Sequence, residues 1–278
     1  MTGKKAFLID VDKCTGCSLC IIACKDEHVE SAYPPWTRPQ PDTGHFWIAV
    51  RALERGRTPR VRMSYLPLLC QHCANAPCIK ACPEGAIKTR TDGLVWIDPA
   101  ACTGCGLCRE ACPYGVIYAN PELGIAQKCT GCAHRVDDGA LPRCADVCPH
   151  DAIVFDDEAG RVFTDAGRGQ PLAVYHPEYK AQPRVYWRGL PKPWIAGTLV
   201  DAVSDEVIPG VTVTSVDLFE DGSVIVRSDE FGDFWIRGLD EGRKYRLEIR
   251  KDGYESFRAV VTTDGEQDLG EVRLTRSR

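Results

Sequence analysis

The sequence predicts an α+β module built by duplication, followed by an all-β domain of about seven short strands. Three observations lead there. All sixteen cysteines of the 278-residue chain fall between Cys14 and Cys148. They stand in four runs of four, flanked by strand-like segments that echo one another. After Pro193 there is no cysteine or histidine, and apolar and polar residues alternate between regularly spaced turns.

The first run is Cys14, Cys17, Cys20 and Cys24, and the third, Cys102, Cys105, Cys108 and Cys112, repeats its spacing. The second is Cys70, Cys73, Cys78 and Cys82; the fourth is Cys129, Cys132, Cys144 and Cys148. Proline follows the last cysteine of three runs, at Pro83, Pro113 and Pro149. These are the spacings of bacterial ferredoxin cluster sites. Disulfides are disfavoured because no apolar export segment follows Lys4 and Lys5 and the cysteines crowd at two-residue gaps. Structural zinc prefers two paired hooks separated by a loop. Three cysteines at two-residue gaps, with a fourth before a turn, instead wrap an iron–sulfide cube. In two-cluster ferredoxins the fourth cysteine of a run serves the other cluster. Sixteen cysteines therefore predict four [4Fe–4S] clusters in two pairs, and spacing leaves open which run partners which.

The flanks repeat as well. Phe7–Asp10 precedes the first run and Leu94–Pro99 the third, each an apolar strand turning into a cysteine loop. After the second, third and fourth runs, Ala86-Ile87, Val116-Ile117 and Ala152-Ile153 begin the next strand; proline ends the helical turn before it. The first run departs, with Lys25 in place of proline and an insertion over about residues 30–68. That insertion holds Trp36, Trp47 and a strand at Phe46–Val50, and is expected to pack and dock. The ferredoxin-like domain is thus expected over 1–155. Residues 156–193, punctuated by Gly160, Gly167, Gly169, Pro171, Pro177, Pro183, Gly189, Pro191 and Pro193, read as an extended arm anchored by Tyr175, Tyr179, Tyr186 and Trp187. The all-β domain is expected over 194–278, with turns at Pro209-Gly210, Asp221-Gly222, Asp252-Gly253 and Asp264-Gly265. A sandwich or barrel fits this pattern, and no nucleophile–base pairing is found in it.

Composition narrows the partners. A net charge of −5 gives no reason to expect nucleic acid. No apolar run reaches the length of a bilayer span, so a cytoplasmic chain is expected, reaching the periplasm only if co-exported with a signal-bearing partner. Fully ligated clusters have no open iron and move single electrons, which predicts a conductor with no catalytic residue of its own. Lys25, Lys80, Arg109 and Lys128 each lie beside a cysteine. They read either as positive charges that raise a cluster potential or as solvated surface charges. His72, His134 and His150 read as polar packing or hydrogen-bonding neighbours rather than ligands.

Spacings, order and the Cys-Pro endings together resemble the iron–sulfur (β, or small) subunits of the dimethyl sulfoxide reductase family of molybdopterin oxidoreductases. The tail narrows the branch. Gly197–Val200, Ile208–Val213 and Phe231–Phe234 look like a transthyretin-like or carboxypeptidase-regulatory-like domain. With Gln127–His134 and Pro183–Tyr186, this resembles the small subunits of the pyrogallol–phloroglucinol transhydroxylase and resorcinol hydroxylase branch. The resemblance implies one cube on Cys14, Cys17, Cys20 and Cys148, and a second on Cys129, Cys132, Cys144 and Cys24. It implies a third on Cys70, Cys73, Cys78 and Cys112, and a fourth on Cys102, Cys105, Cys108 and Cys82. It further implies a large partner subunit holding molybdenum and molybdopterin guanine dinucleotide, acting on phenolic compounds in an anaerobe, and an external electron carrier. Cysteine sets in the transhydroxylase branch are not all complete, whereas all four are complete here, which favours the hydroxylase side and net electron export. The alternatives are a β subunit of a respiratory reductase of the dimethyl sulfoxide, polysulfide or nitrate type, and a free-standing polyferredoxin.

Overall fold

The computed structural model describes residues 3–164 and 172–277. Gly167, Gly169 and Pro171 of the expected arm lie outside the described residues. The chain divides into two compact units: one holds the N-terminal residues to Leu53 together with Ser64–Leu190, the other Glu54–Met63 with the chain from Pro191.

In the first unit the leading elements are β1 (Lys5–Asp10), α1 (Leu19–His28), β2 (Ile48–Arg57), β3 (Arg60–Leu69), α2 (Pro77–Lys80), β4 (Ile87–Thr89) and β5 (Val95–Ile97). There follow α3 (Leu107–Ala111), β6 (Tyr118–Asn120), β7 (Ile125–Gln127), α4 (Ala133–Asp137), α5 (Arg143–Asp146), β8 (Ile153–Asp157), α6 (Arg161–Thr164), β9 (Ala173–Val174) and β10 (Val185–Arg188). The pairing is reciprocal. β1, which enters the first cysteine run, pairs antiparallel with β8, which leaves the fourth. β4, which leaves the second run, pairs antiparallel with β5, which enters the third. The internal repeat of the sequence thus becomes two ladders that bring the first run to the fourth and the second to the third.

The segment expected as an arm does more than lie over this unit. β10 pairs parallel with β1 and β9 pairs with β10, giving the sheet order β8-β1-β10-β9. Val185 and Trp187 point inward and are fully buried against Phe7, Ile9, Ile153 and Phe155. A four-residue strand hemmed by proline and glycine is too short to show its alternation in the sequence.

The insertion forms the β2–β3 hairpin. Its outer part, Glu54–Met63, belongs to the second unit. There Arg60 donates to Asp268 at 2.7 Å and Asp233 at 2.8 Å, and it also bonds Thr198. The second unit continues with β11 (Ile195–Asp201), β12 (Thr212–Asp217), β13 (Ser223–Arg227), β14 (Asp233–Ile236), β15 (Lys244–Arg250), β16 (Phe257–Thr262) and β17 (Gln267–Leu274). Two sheets, β14-β11-β17 and β13-β12-β15-β16, face one another across a single core. Alternation drives the packing: Val213 sits opposite Ile249, and Leu247 lies two residues along, all fully buried. The arrangement is a sandwich rather than a closed barrel.

Candidate metal centres

The short helices deliver cysteines in pairs four residues apart; on α1 both thiols lie on one helix face about one turn apart, and in the other three pairs the second cysteine follows the end of the helix. Cys20 and Cys24 lie on α1; Cys108 on α3 precedes Cys112; Cys78 on α2 precedes Cys82; Cys144 on α5 precedes Cys148. Each helix therefore serves two neighbouring cavities. The loops before them coil tightly because the Cys-x-Gly-Cys segments hold Gly16, Gly104 and Gly131 at φ of 73°, 69° and 67°.

Cys14, Cys17, Cys20 and Cys148 line one cavity, with Leu19, Val50, Pro67 and Ile153 as apolar walls. Cys70, Cys73, Cys78 and Cys112 line a second, walled by Ala76, Val95, Val116 and Ile117. Cys82, Cys102, Cys105 and Cys108 line a third with Ile87, Ile97 and Ala126. Cys24, Cys129, Cys132 and Cys144 are all buried and close to one another: burial, then the thiols of Cys129 and Cys132, pushes the Cys24 thiol well above its ordinary value. Burial followed by the Cys132 and Cys129 thiols does the same to Cys144. The sets follow one another in a row. Cys144 also feels Cys20 of the Cys14 set; Cys129 feels Cys70 of the next; Cys78 feels Cys108 of the last. Cys17 and Cys105, in the two outermost sets, are exposed, while the Cys24 set is wholly buried.

The donor chemistry fits an iron–sulfur cube. Burial, followed by neighbouring thiols, pushes Cys20, Cys73, Cys78 and Cys129 up to about 12, so packing four thiolates in these apolar hollows calls for a compensating cation. Backbone N–H groups point at the sulfurs: Ala152 at Cys148, Gly131 at Cys129 and Ala126 at Cys102, each at 3.3 Å, and Arg143 at Cys132 at 3.5 Å. Such donors stabilise sulfur-borne charge. Among the described residues no three His, Cys, Asp or Glu side chains converge closely enough for one metal ion. The thiols surround a space rather than a point.

The four basic neighbours separate. Lys80 and Arg109 are exposed, and Lys80 bonds Asn75. Lys25 donates to the Pro41 carbonyl at 2.7 Å beside the Phe46 ring, and burial lowers its pKa. Lys128 alone of these is buried. It lines the Cys70 cavity, and its Nζ donates to the carbonyls of Val95 and Cys129.

The histidines separate too. His134 bonds Glu27 at 2.9 Å and stacks on Tyr33, and His150 lines the rim of the Cys14 cavity. His72 is fully buried with Nε2 3.8 Å from Cys129 Sγ. His28, which sequence reasoning passed over, is buried with Nε2 3.6 Å from Cys132 Sγ. Burial, then His134, pushes His28 down to about 3; burial, then Lys128, holds His72 well below its usual range. A signal for His28 existed: Cys20, Cys24 and His28 are spaced by four along α1, on one face.

Comparison with known proteins finds cluster-binding domains over the same stretches of chain. Residues 11–30 match a 4Fe-4S binding domain, 61–158 a 4Fe-4S dicluster domain and 194–275 a carboxypeptidase regulatory-like domain. The chain is 36% identical over 281 aligned residues to the pyrogallol hydroxytransferase small subunit of Pelobacter acidigallici, covering 96% of this chain and 98% of that one. It is 38% identical to the thiosulfate reductase electron transfer subunit of Salmonella typhi, covering 56% of this chain and 77% of the relative. It is 36% identical to the B subunit of the anaerobic dimethyl sulfoxide reductase of Escherichia coli, covering 63% and 85%. With cluster domains and a regulatory-like β domain both matched, the chain belongs to the iron–sulfur small subunits of the dimethyl sulfoxide reductase family of molybdopterin oxidoreductases, on the branch that includes the pyrogallol hydroxytransferase small subunit.

Proposed function

We propose that the chain is a non-catalytic electron-transfer subunit with four [4Fe–4S] clusters, relaying electrons to or from the molybdopterin site of a large partner subunit that hydroxylates or transhydroxylates phenolic compounds. The observation that carries the phenolic reading is coverage. The pyrogallol hydroxytransferase relative aligns through the β domain, whereas the thiosulfate and dimethyl sulfoxide reductase relatives align with little more than half to two thirds of the chain.

The four thiol sets support the cluster assignment. One cube is held by Cys14, Cys17, Cys20 and Cys148, and the next by Cys24, Cys129, Cys132 and Cys144. A third is held by Cys70, Cys73, Cys78 and Cys112, and the last by Cys82, Cys102, Cys105 and Cys108. A cube held by four cysteines supplies one-electron transfer and no open coordination position. The protein's part is to hold each thiolate, exclude water from the inner sets and leave the outermost sets near the surface at Cys17 and Cys105, where electrons enter and leave. The domains follow the same division of labour, with 1–155 and the arm serving conduction and 194–278 a non-catalytic β domain. Molybdenum and molybdopterin guanine dinucleotide belong to the partner alone, and an external carrier takes the other end of the row. Completeness of all four sets supports net electron export, as in a hydroxylation that draws oxygen from water.

Anaerobic co-purification followed by metal analysis tests this reading. About sixteen irons per chain, with a large molybdenum-containing subunit that turns over a phenol, are expected. Stoichiometric zinc without iron would sink the cluster assignment. Co-purification with a membrane anchor and turnover of a sulfur or nitrogen oxide would instead establish the respiratory reading. Among the described residues no helix is long and apolar enough to cross a membrane.

A further inference from the structure

Three of the four cysteine runs place glycine between their first two cysteines, at Gly16, Gly104 and Gly131, each with positive φ. The second run places His72 there, with φ of 42°. A bulky residue in the left-handed region is uncommon and costs about 1–2 kcal/mol, so its retention calls for a compensating contact. The contact is visible. His72 Nδ1 accepts the Val95 N–H at 3.0 Å, which fixes the ring proton of the neutral imidazole on Nε2. Nε2 then faces Cys129 Sγ at 3.8 Å. His72 lies in the run that supplies the Cys70 set, yet it donates to a sulfur of the Cys24 set. At that junction no pair of cysteines four residues apart joins the two sets; two such pairs, Cys20/Cys24 and Cys144/Cys148, bridge the Cys14 set to the Cys24 set, and two more, Cys78/Cys82 and Cys108/Cys112, the Cys70 set to the Cys102 set. A second imidazole acts on the same four thiols. His28 Nε2 lies 3.6 Å from Cys132 Sγ, and the ring is held by Trp47 at 4.7 Å and by Tyr33 edge-on at 5.8 Å. Among the described residues no other histidine ring nitrogen is hydrogen-bonded to a cysteine sulfur.

We propose that His72 and His28 are dedicated N–H donors to the Cys129 and Cys132 thiolates, and that they set the reduction potential of the Cys24-set cluster above the value its complete burial would otherwise give. This rests on the four-cluster reading. A reduced cluster carries more negative charge on its sulfurs, so a donor aimed at a ligand sulfur favours reduction, whereas burial of a charged cluster opposes it. Two donors on the wholly buried cluster keep it able to accept an electron from its neighbours, so that the row is not interrupted at its second step. Both act as positioning residues on the cluster; neither contacts substrate.

The test is an electron-paramagnetic-resonance redox titration of the full chain with its clusters in place, comparing the unsubstituted protein with His72→Leu, His28→Leu and His72→Gln. Each leucine variant is expected to lower the reduction equilibrium constant of one and the same cluster about tenfold, equivalent to about 59 mV for one electron. The other three are expected to stay in place, and His72→Gln, which keeps a side-chain N–H, is expected to recover most of the shift. Unchanged midpoints in leucine variants of full iron content overturn the proposal, as does an equal shift of all four clusters. Pulsed measurements on the unsubstituted chain labelled with 15N-histidine probe the same contacts without a substitution: nitrogen coupling on one cluster signal is expected, and coupling on none overturns the proposal. Iron short of four clusters in the unsubstituted chain overturns the four-cluster reading itself, which separates the two failures.

Discussion

Replacing Lys128 by methionine removes a buried positive charge while nearly keeping its volume. Lys128 is 2% exposed, and its Nζ meets only the carbonyls of Val95 and Cys129, with no carboxylate in salt-bridge range among the described residues. On the four-cluster reading proposed above, the charge it faces is the cluster of Cys70, Cys73, Cys78 and Cys112, whose cavity it lines. Taking, for scale, a separation of roughly 7 Å and an effective dielectric of about 20, one unit of charge on that cluster would interact with the ammonium by about 2 kcal/mol. For a one-electron couple that corresponds to about 100 mV. Partial compensation by polar groups left behind brings the expected fall to about 50–100 mV. Burial, then sulfur neighbours, dominates Cys129, where Lys128 acts last, so the Cys24-set cluster should move less. The Cys14 and Cys102 sets should not move. A redox titration of the purified chain, monitored by electron paramagnetic resonance, reads all four. A rise, a uniform shift, or no change with full iron content would refute the reasoning.

Cys112→Ala is expected to abolish the cluster of Cys70, Cys73 and Cys78 rather than that of its own run, and iron should fall by about a quarter; loss of the Cys102-set signal instead would refute the crossing of ligands. Arg60→Ala strands Asp233 and Asp268 without their cation. Because those carboxylates are 35% and 25% exposed, the cost is expected to be about 2 kcal/mol rather than the roughly 3–5 kcal/mol of a fully buried pair, read by urea unfolding of the β domain; a change under about 0.5 kcal/mol would count against it. The Asp201 carboxyl is held well below the usual carboxylate range by Arg276, then by the N–H groups of Ser204 and Val203 and by Tyr254. A depressed folded-state pKa contributes stability above the unfolded value of about 4, and loses it as pH falls below that. Asp201→Asn should therefore flatten the acid limb of the β domain's stability curve, and an unaltered slope between about pH 5 and pH 2 would contradict the assignment.

How much of this was legible follows from the range of the interactions. The cysteine runs are largely local: in the first and third, gaps of two and three residues fix the loop, and the i, i+4 step that ends every run already contains the handover between neighbouring cavities. Which run meets which is decided by β1 on β8 and β4 on β5, and no spacing rule encodes those ladders; spacing left the pairing open, and only the family resemblance implied one. The basic residues within two positions of Cys24, Cys78, Cys108 and Cys129 looked equivalent in sequence because nearness along the chain says nothing about burial. Lys128 differs because β7 before it runs through the interior. His28 carried a local signal in its spacing to Cys24, but that signal lies one helical turn beyond the last cysteine of the run, outside the motif itself. The destination of the hairpin tip was not readable. Arg60 meets Asp233 and Asp268 at separations of 173 and 208 residues, and an arginine among other arginines carries no mark of its partner.

The hairpin tip also bears on how the protein is made. Glu54–Met63 leaves the ribosome with the carboxylates that Arg60 will meet still unwritten, and at about 5–20 residues per second Asp268 follows roughly ten to forty seconds later. The central sheet waits in the same way, since Leu8 meets Tyr186 only after all of the cysteines have emerged. Neither unit is finished by a contiguous stretch of chain. The cluster unit remains open at one edge while its cysteines appear, which leaves an interval for iron and sulfide delivery before β10 closes over β1. A gene cut after Leu190 would release a conductor with an unmated hairpin, and the β domain expressed alone would lack Arg60. Each unit is begun early in synthesis and completed only by chain made long after its first strand.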